Sequence, residues 1–172
     1  MAVRRLCRAD YDEIAALSRE SAEMHGRWLG AHENTVAAFE ARLARFDQPT
    51  HEGLVICLRD TGAIVGGVNI NNIVRGGLRS GTLGYVAYAS TTGRGYMTEG
   101  LGLAIEFAFG TLELHRLEAN IQPDNTASLN LVKRLGFRRE GYSTAFQFIN
   151  GAWRDHERWA ITVEDTARPR EL

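Results

Sequence analysis

Two glycines flank a single arginine in Thr92-Gly93-Arg94-Gly95-Tyr96-Met97-Thr98-Glu99, and this spacing is the chain's most direct hint of chemistry. Neither glycine has a Cβ, so the backbone there can turn tightly and come close to a ligand. The segment in front, Gly84 to Tyr88, reads as a strand. The segment behind, Met97 to Phe109, puts Met97, Leu101, Ala104, Ile105 and Ala108 on one helical face. The turn therefore empties into a helix N-terminus, where unpaired N–H groups and the positive end of the helix dipole suit a phosphate. Two better-known phosphate loops are ruled out. The only lysine is Lys133, so there is no G-x-x-x-x-G-K-[ST], and Thr98 stands where G-x-G-x-x-G needs its third glycine.

Other reactive side chains are scattered. Cys7 and Cys57 both sit in apolar, strand-like segments and read as buried, reduced thiols. His25, His32, His51, His115 and His156 show no paired metal spacing, so no metal is expected. The 172 residues, 44% hydrophobic and 24% charged, suit one domain with a real core. A net charge of −1 makes no general case for nucleic acid. The densest apolar run, Leu54 to Leu58, is far too short to span a bilayer, and no apolar run follows the N-terminal arginines as a secretory signal would need.

These groups need elements to hold them. Val3 to Arg8 reads as a strand, and Asp10 with Glu13 as a capping-box-like helix start. Ile14, Leu17, Ser21 and Met24 follow at helical spacing until Gly26 to Gly30 breaks the pattern. A second helix starts at Asn34 or Thr35 and carries Val36, Phe39, Leu43 and Phe46. The period then shortens. Strands are expected over 54–59, 63–70 and 82–88, with Asn71 to Gly81 as a loop or irregular strand. Gly84 interrupts a good β run and suggests a bulge. After the long helix come a strand over 116–122, a helix over 126–135 stopped by Gly136, and two long strands over 137–149 and 152–163. Asn150-Gly151 is the strongest hairpin turn in the chain. The polar tail, 164–172, is expected to be loose and residues 1–163 to form one domain. The order β α α β β β α β α β β implies a mixed sheet in which the two strands around the long helix run parallel.

Three segments in register resemble one family, the GNAT N-acetyltransferase superfamily. The strand–Thr92-to-Glu99–helix unit resembles its acetyl-CoA pyrophosphate loop. Pro123-Asp124-Asn125-Thr126-Ala127-Ser128 through Arg134-Leu135-Gly136-Phe137 resembles its next block. Glu140-Gly141-Tyr142 and Asn150-Gly151-Ala152-Trp153-Arg154-Asp155-His156 look like the RimJ/RimL branch, the ribosomal-protein N-terminal acetyltransferases. One departure is Ser90, at a position usually filled by Gln or Arg.

The resemblance implies an α/β (α+β) fold: a mostly antiparallel sheet of six or seven strands with about four helices, two parallel strands splaying apart to hold acetyl-CoA. It implies cofactor contacts from Tyr85, Val86, Ala87, Tyr88, Thr92, Gly93, Arg94, Gly95, Tyr96, Met97, Asn125 and Ser128. A backbone N–H near Ala87 or Tyr88 would face the oxyanion. Ser128 would donate a proton to the leaving thiolate, since Val132 stands where other branches place a tyrosine. Asn125 is also legible as a helix N-cap, which Asn favours. Glu118, Asn120 and Gln122 share a strand face, with Asn120 a catalytic candidate beside Ser128; no general base is evident, and Glu118, an ordered water chain or none are the alternatives. Lacking a base, the site favours a low-pKa amine such as a protein N-terminus. A small amine (antibiotic, amino sugar or polyamine) and a catalytically idle acyl-CoA sensor are the alternatives. The acceptor site is expected between Met24–His32 and the last hairpin, near His25, Trp28, Trp153 and His156. A homodimer through that hairpin and a cytoplasmic location are further expectations, with neither nucleic acid nor membrane as partner.

Overall fold

The computed structural model describes residues 1–29 and 35–166. Seven strands, Ala2–Arg5 (β1), Glu52–Cys57 (β2), Ile64–Val74 (β3), Ser80–Ala87 (β4), Arg116–Ile121 (β5), Arg138–Ile149 (β6) and Ala152–Thr162 (β7), pair in the order β1-β2-β3-β4-β5-β7-β6. All neighbours are antiparallel except β4 and β5. The helices are Tyr11–Glu20 (α1), Ala22–Gly26 (α2), Val36–Phe46 (α3), Tyr96–Gly110 (α4), Thr126–Arg134 (α5) and Val163–Thr166 (α6).

The parallel pair matters most for function. It runs only from Ser80↔Arg116 to Leu83↔Ala119. β4 continues to Ala87 paired with β3, and β5 continues to Ile121 paired with β7, yet the two no longer pair with each other. The sheet is therefore split along one seam while both flanks stay hydrogen-bonded.

Burial follows the two periods. Leu117, Ala119 and Ile121 face Leu101, Ala104, Ile105 and Val132 in one core layer. Ile14 and Phe39 cover Val55, Cys57, Ile64 and Tyr88 on the opposite face. Each fully buried aliphatic side chain contributes roughly 1.5–3 kcal/mol. Gly100 fixes how close α4 sits, because a Cβ there would collide with the Ile56 side chain.

Several local expectations change. Gly84 pairs in register with Asn69, and the irregularity lies instead between Asn71 and Val74, where Asn72 has φ 52°. Asn71 to Val74 extend β3 rather than forming a loop. Cys7 is exposed and lies beyond the end of β1 at Arg5, at the start of the short turn from Arg8; Cys57 is buried. Glu13 closes no capping box; its carboxylate accepts from the Ile64 N–H at 2.7 Å. Thr35 caps α3 through the Ala38 N–H, and Val36 is exposed rather than on the buried face, which Phe39 holds. The first expected helix divides at Ser21 into α1 and α2. At the other end of the chain, residues 163–166 form α6, with Asp165 accepting from the Thr162 N–H at 2.9 Å.

Candidate functional site

Where β4 and β5 part, a cleft of about 960 Å³ opens. One wall is β4, the glycine turn and α5. The Tyr88 N–H donates to the Val65 carbonyl at 3.4 Å, so that peptide faces β3. Strand alternation then turns the N–H groups of Ala87 and Tyr85 to the opposite edge, into the cleft. The His25 Nε2–H donates to the Ala87 carbonyl at 2.7 Å; a carbonyl only accepts, so the proton is on Nε2. Buried Ser21 pins the chain just beyond β4, its hydroxyl accepting the Ala89 N–H at 2.9 Å. The single Thr91 hydroxyl proton is shared between the carbonyls of Val65 and Tyr88, both 2.9 Å from Oγ1.

This anchored stretch delivers the turn. Gly93 and Gly95 have φ of 75° and 79°, the left-handed region where a side chain is strained. A Cβ on either would meet nothing within 4 Å, so the space beside both is open. The Gly95 carbonyl takes the Thr98 and Glu99 N–H groups, while Tyr96 and Met97 lie in the first helical turn, whose N–H groups find no carbonyl within the helix. That cradle suits a pyrophosphate.

On α5, Asn125 is the N-cap, its Oδ1 accepting the Ser128 N–H at 3.1 Å. This puts Ser128 Oγ 2.5 Å from the Tyr85 hydroxyl. Burial pushes the Tyr85 phenol up to about 12, against the opposing effect of its Ser128 hydrogen bond. The phenol thus stays protonated at neutral pH. It is the stronger acid of the two hydroxyls, so it donates to Ser128 and leaves the serine O–H free to donate onward.

The other wall comes from distant segments: Met24, His25 and Trp28 around α2, Glu118, Asn120 and Gln122 on β5, and Phe146, Gln147, His156 and Arg158 on the β6–β7 hairpin. Asn150 Nδ2 donates to the Gly26 carbonyl at 2.7 Å and Gln122 Nε2 to the Trp28 carbonyl at 3.3 Å, tying these segments together. Glu118 is fully engaged, by Arg116 Nε at 3.0 Å and by an Arg158 NH2 at 2.9 Å. Asn120 Oδ1 and Arg158 Nε are buried without a partner among the described residues. The Phe146 ring packs 5.3 Å from His156 and 5.2 Å from the Arg158 guanidinium.

Most sequence candidates converge here: Ser128, Asn120, Tyr85, Val86, Ala87, Thr92, Gly93, Gly95, Tyr96, Met97 and Asn125 all line the cleft. Tyr88 does not, since its ring packs into the core below α1 and α3 and its N–H is spent on Val65. Arg94 does not either; it sits exposed between two left-handed glycines, its side chain outside the lining. Trp153 is 64% exposed and away from the lining, packed edge-on to Phe148. His32 falls outside the described residues. Arg134, Arg158, Phe146, Asn71 and Asn72 also line the cleft without having been singled out. Arg134 had one signal, a basic residue in the last turn of α5 one turn and a half beyond Ser128.

No helix among the described residues is long and apolar enough to cross a membrane. A family model described as acetyltransferase (GNAT) domain matches residues 1–138. The chain is 34% identical over 130 residues to the probable N-acetyltransferase YjcK of Bacillus subtilis, covering 76% of this chain and 70% of that one. It is 41% identical over 106 residues to the [ribosomal protein uS5]-alanine N-acetyltransferase of Escherichia coli, covering 62% of this chain and only 55% of that one. Among solved structures, Mycobacterium smegmatis RimJ in complex with CoA-disulfide superposes with a TM-score of 0.89 at 28% identity, over 96% of this chain and 83% of that one.

Proposed function

This chain belongs to the GNAT acetyltransferase family, and from that premise we propose that it acetylates the α-amine of a protein N-terminus. Acetyl-CoA supplies the acetyl thioester. The open edge of β4, the two left-handed glycines and the first turn of α4 fit it, because they leave backbone donors and empty space where phosphates and pantetheine amides need them. Ala87 N–H is the candidate donor to the carbonyl oxygen as charge develops there. Ser128, loaded by Tyr85, is the candidate donor to the departing sulfur.

The charge of the lining carries the choice of acceptor. Glu118 is the one carboxylate among the described lining residues, and two arginines already hold it. A polyamine or aminoglycoside would bring several cations to a wall with no free anion among its described residues, and an unpaired buried cation is costly. A protein N-terminus brings one amine, with a pKa of about 7.7–8.0 that leaves part of it neutral at pH 7. The relative that acts on an alanine N-terminus makes Ala- and Ser-initiated peptides the first acceptors to try. Steady-state kinetics should give kcat/KM at least about 100-fold higher for such a peptide than for spermidine, a difference of roughly 2.7 kcal/mol. A spermidine or aminoglycoside value above the peptide's would overturn the acceptor assignment.

A further inference from the structure

We propose that His156 is the general base that removes the proton from the acceptor amine, a role that rests on the acetyl-transfer reading above. The ring is only 3% exposed as a residue, yet it lines the cleft on the acceptor wall. Its Nδ1 lies 3.1 Å from the Arg154 carbonyl oxygen. A carbonyl cannot donate, so the proton sits on Nδ1 and Nε2 carries the lone pair. That is the tautomer a base requires, and the backbone enforces it. Phe146 holds the ring plane from one side.

Among the described residues, the neighbouring carboxylates are already held by other partners. Both Glu118 oxygens are in ion pairs with Arg116 and Arg158. Asp155 turns to the hairpin, accepting from the Tyr142 hydroxyl and the Ala145 N–H, each at 2.8 Å. Among the described residues, the ionisable groups on the elements beside the ring include Arg154, Asp155, Glu157 and Arg158 on its own strand, Tyr142 on β6, Glu118 on β5 and His25 from α2; Glu157 is held by Arg139 and the Trp159 N–H. Burial lowers the imidazole below its ordinary 6.5, with the Arg154 carbonyl and Asp155 opposing, so the ring is neutral at pH 7. The other lining histidine is differently committed, its Nε2–H donating to Ala87.

The proton balance is complete. An acceptor ammonium gives one proton to His156 Nε2, directly or through one water, and its nitrogen lone pair forms the C–N bond as the C–S bond breaks. The nitrogen loses a second proton on becoming an amide. That second proton, passed through water, restores the one that Ser128 delivers to the CoA thiolate, and the first passes from His156 to solvent at the cleft mouth.

His156→Asn tests this, because the asparagine amide keeps a donor for the Arg154 carbonyl and removes only the Nε2 lone pair. Transfer should be followed with two acceptors of one sequence, a peptide with its α-amine and the same peptide carrying an aminooxy terminus, which is already neutral at pH 7. The variant should bind CoA like the wild type. Its kcat should fall roughly 100-fold or more with the α-amine at pH 7, recover as pH rises and frees the amine, and change by less than about threefold with the aminooxy peptide. A kcat within threefold on the α-amine peptide overturns the proposal, and so does an equal loss on both acceptors. A wild type that acetylates some other amine overturns the acceptor reading alone, and the same variant is then read on that amine. A wild type that acetylates no amine overturns both.

Discussion

The two walls of the cleft are built from very different lengths of chain. The cofactor wall comes from the end of β4, the glycine turn with the first turn of α4, and α5, all between Tyr85 and Arg134. The acceptor wall joins α2, β5 and a hairpin whose nearest segments are far apart in sequence, and it is closed by the Asn150–Gly26 and Gln122–Trp28 hydrogen bonds. The difference shows where each function is encoded. Phosphate binding uses backbone geometry, which a few local residues dictate. Acceptor binding uses side chains that meet only after the sheet has formed. Acceptors can therefore be exchanged by changing loops and hairpins while the first wall stays fixed.

Substitutions that strike one wall and spare the other sharpen this contrast. The largest effect is expected from Gly95→Glu, which adds backbone strain of roughly 1–2 kcal/mol and an anion in the phosphate cradle. Calorimetry should show CoA affinity reduced by about 100-fold or more, while thermal unfolding moves only a few degrees. Unchanged CoA binding would remove the turn from the site. Ser128→Ala comes next. Its kcat should drop by about ten- to a hundredfold with CoA affinity intact, and no activity limb should arise from Tyr85 below pH 10, because its phenol keeps its proton to about 12.

Asn150→Asp tests the acceptor wall alone. It retains a residue tolerant of φ 51° but loses the donor to Gly26. The acceptor KM should rise by about three- to tenfold while CoA binding stays constant. A matching loss of CoA affinity would show the walls to be coupled. The smallest catalytic effect belongs to Glu118→Gln. With both oxygens held by arginines, it should cost about 1 kcal/mol of stability and change kcat by less than about threefold. A loss of about 100-fold would make Glu118 the base and displace His156.

Much of the fold was legible in local sequence. Asn150-Gly151 marked its hairpin because both residues must take positive φ, which they do at 51° and 77°. Leu117, Ala119 and Ile121 alternated as a half-buried strand and are buried as such. Asn125 could be a cap or a ligand contact; the cap is now seen, and by holding the Ser128 N–H it also positions that serine. Elsewhere local reading was outweighed by tertiary contacts. Gly84 lacks the bulge its composition suggested, because pairing with Asn69 holds it in register. Cys7 looked like a strand residue, but β1 stops at Arg5, two residues before it, and Cys7 is exposed.

The sequence by itself determined the order of the seven strands, the tight glycine turn and the helix it feeds, which follow from local periodicity and dihedral limits, and the parallel crossover, which follows from one helix joining its two strands. Tertiary structure decided which donors remain available. Ala87 rather than Tyr88 faces the cleft because Val65 captures the Tyr88 N–H. Glu118 is silenced by arginines on its own strand and the next, and His156 receives its tautomer from a backbone carbonyl. A side chain's acid–base role depends on its hydrogen-bond partners and its burial. Those are settled only when strands distant in sequence lie side by side.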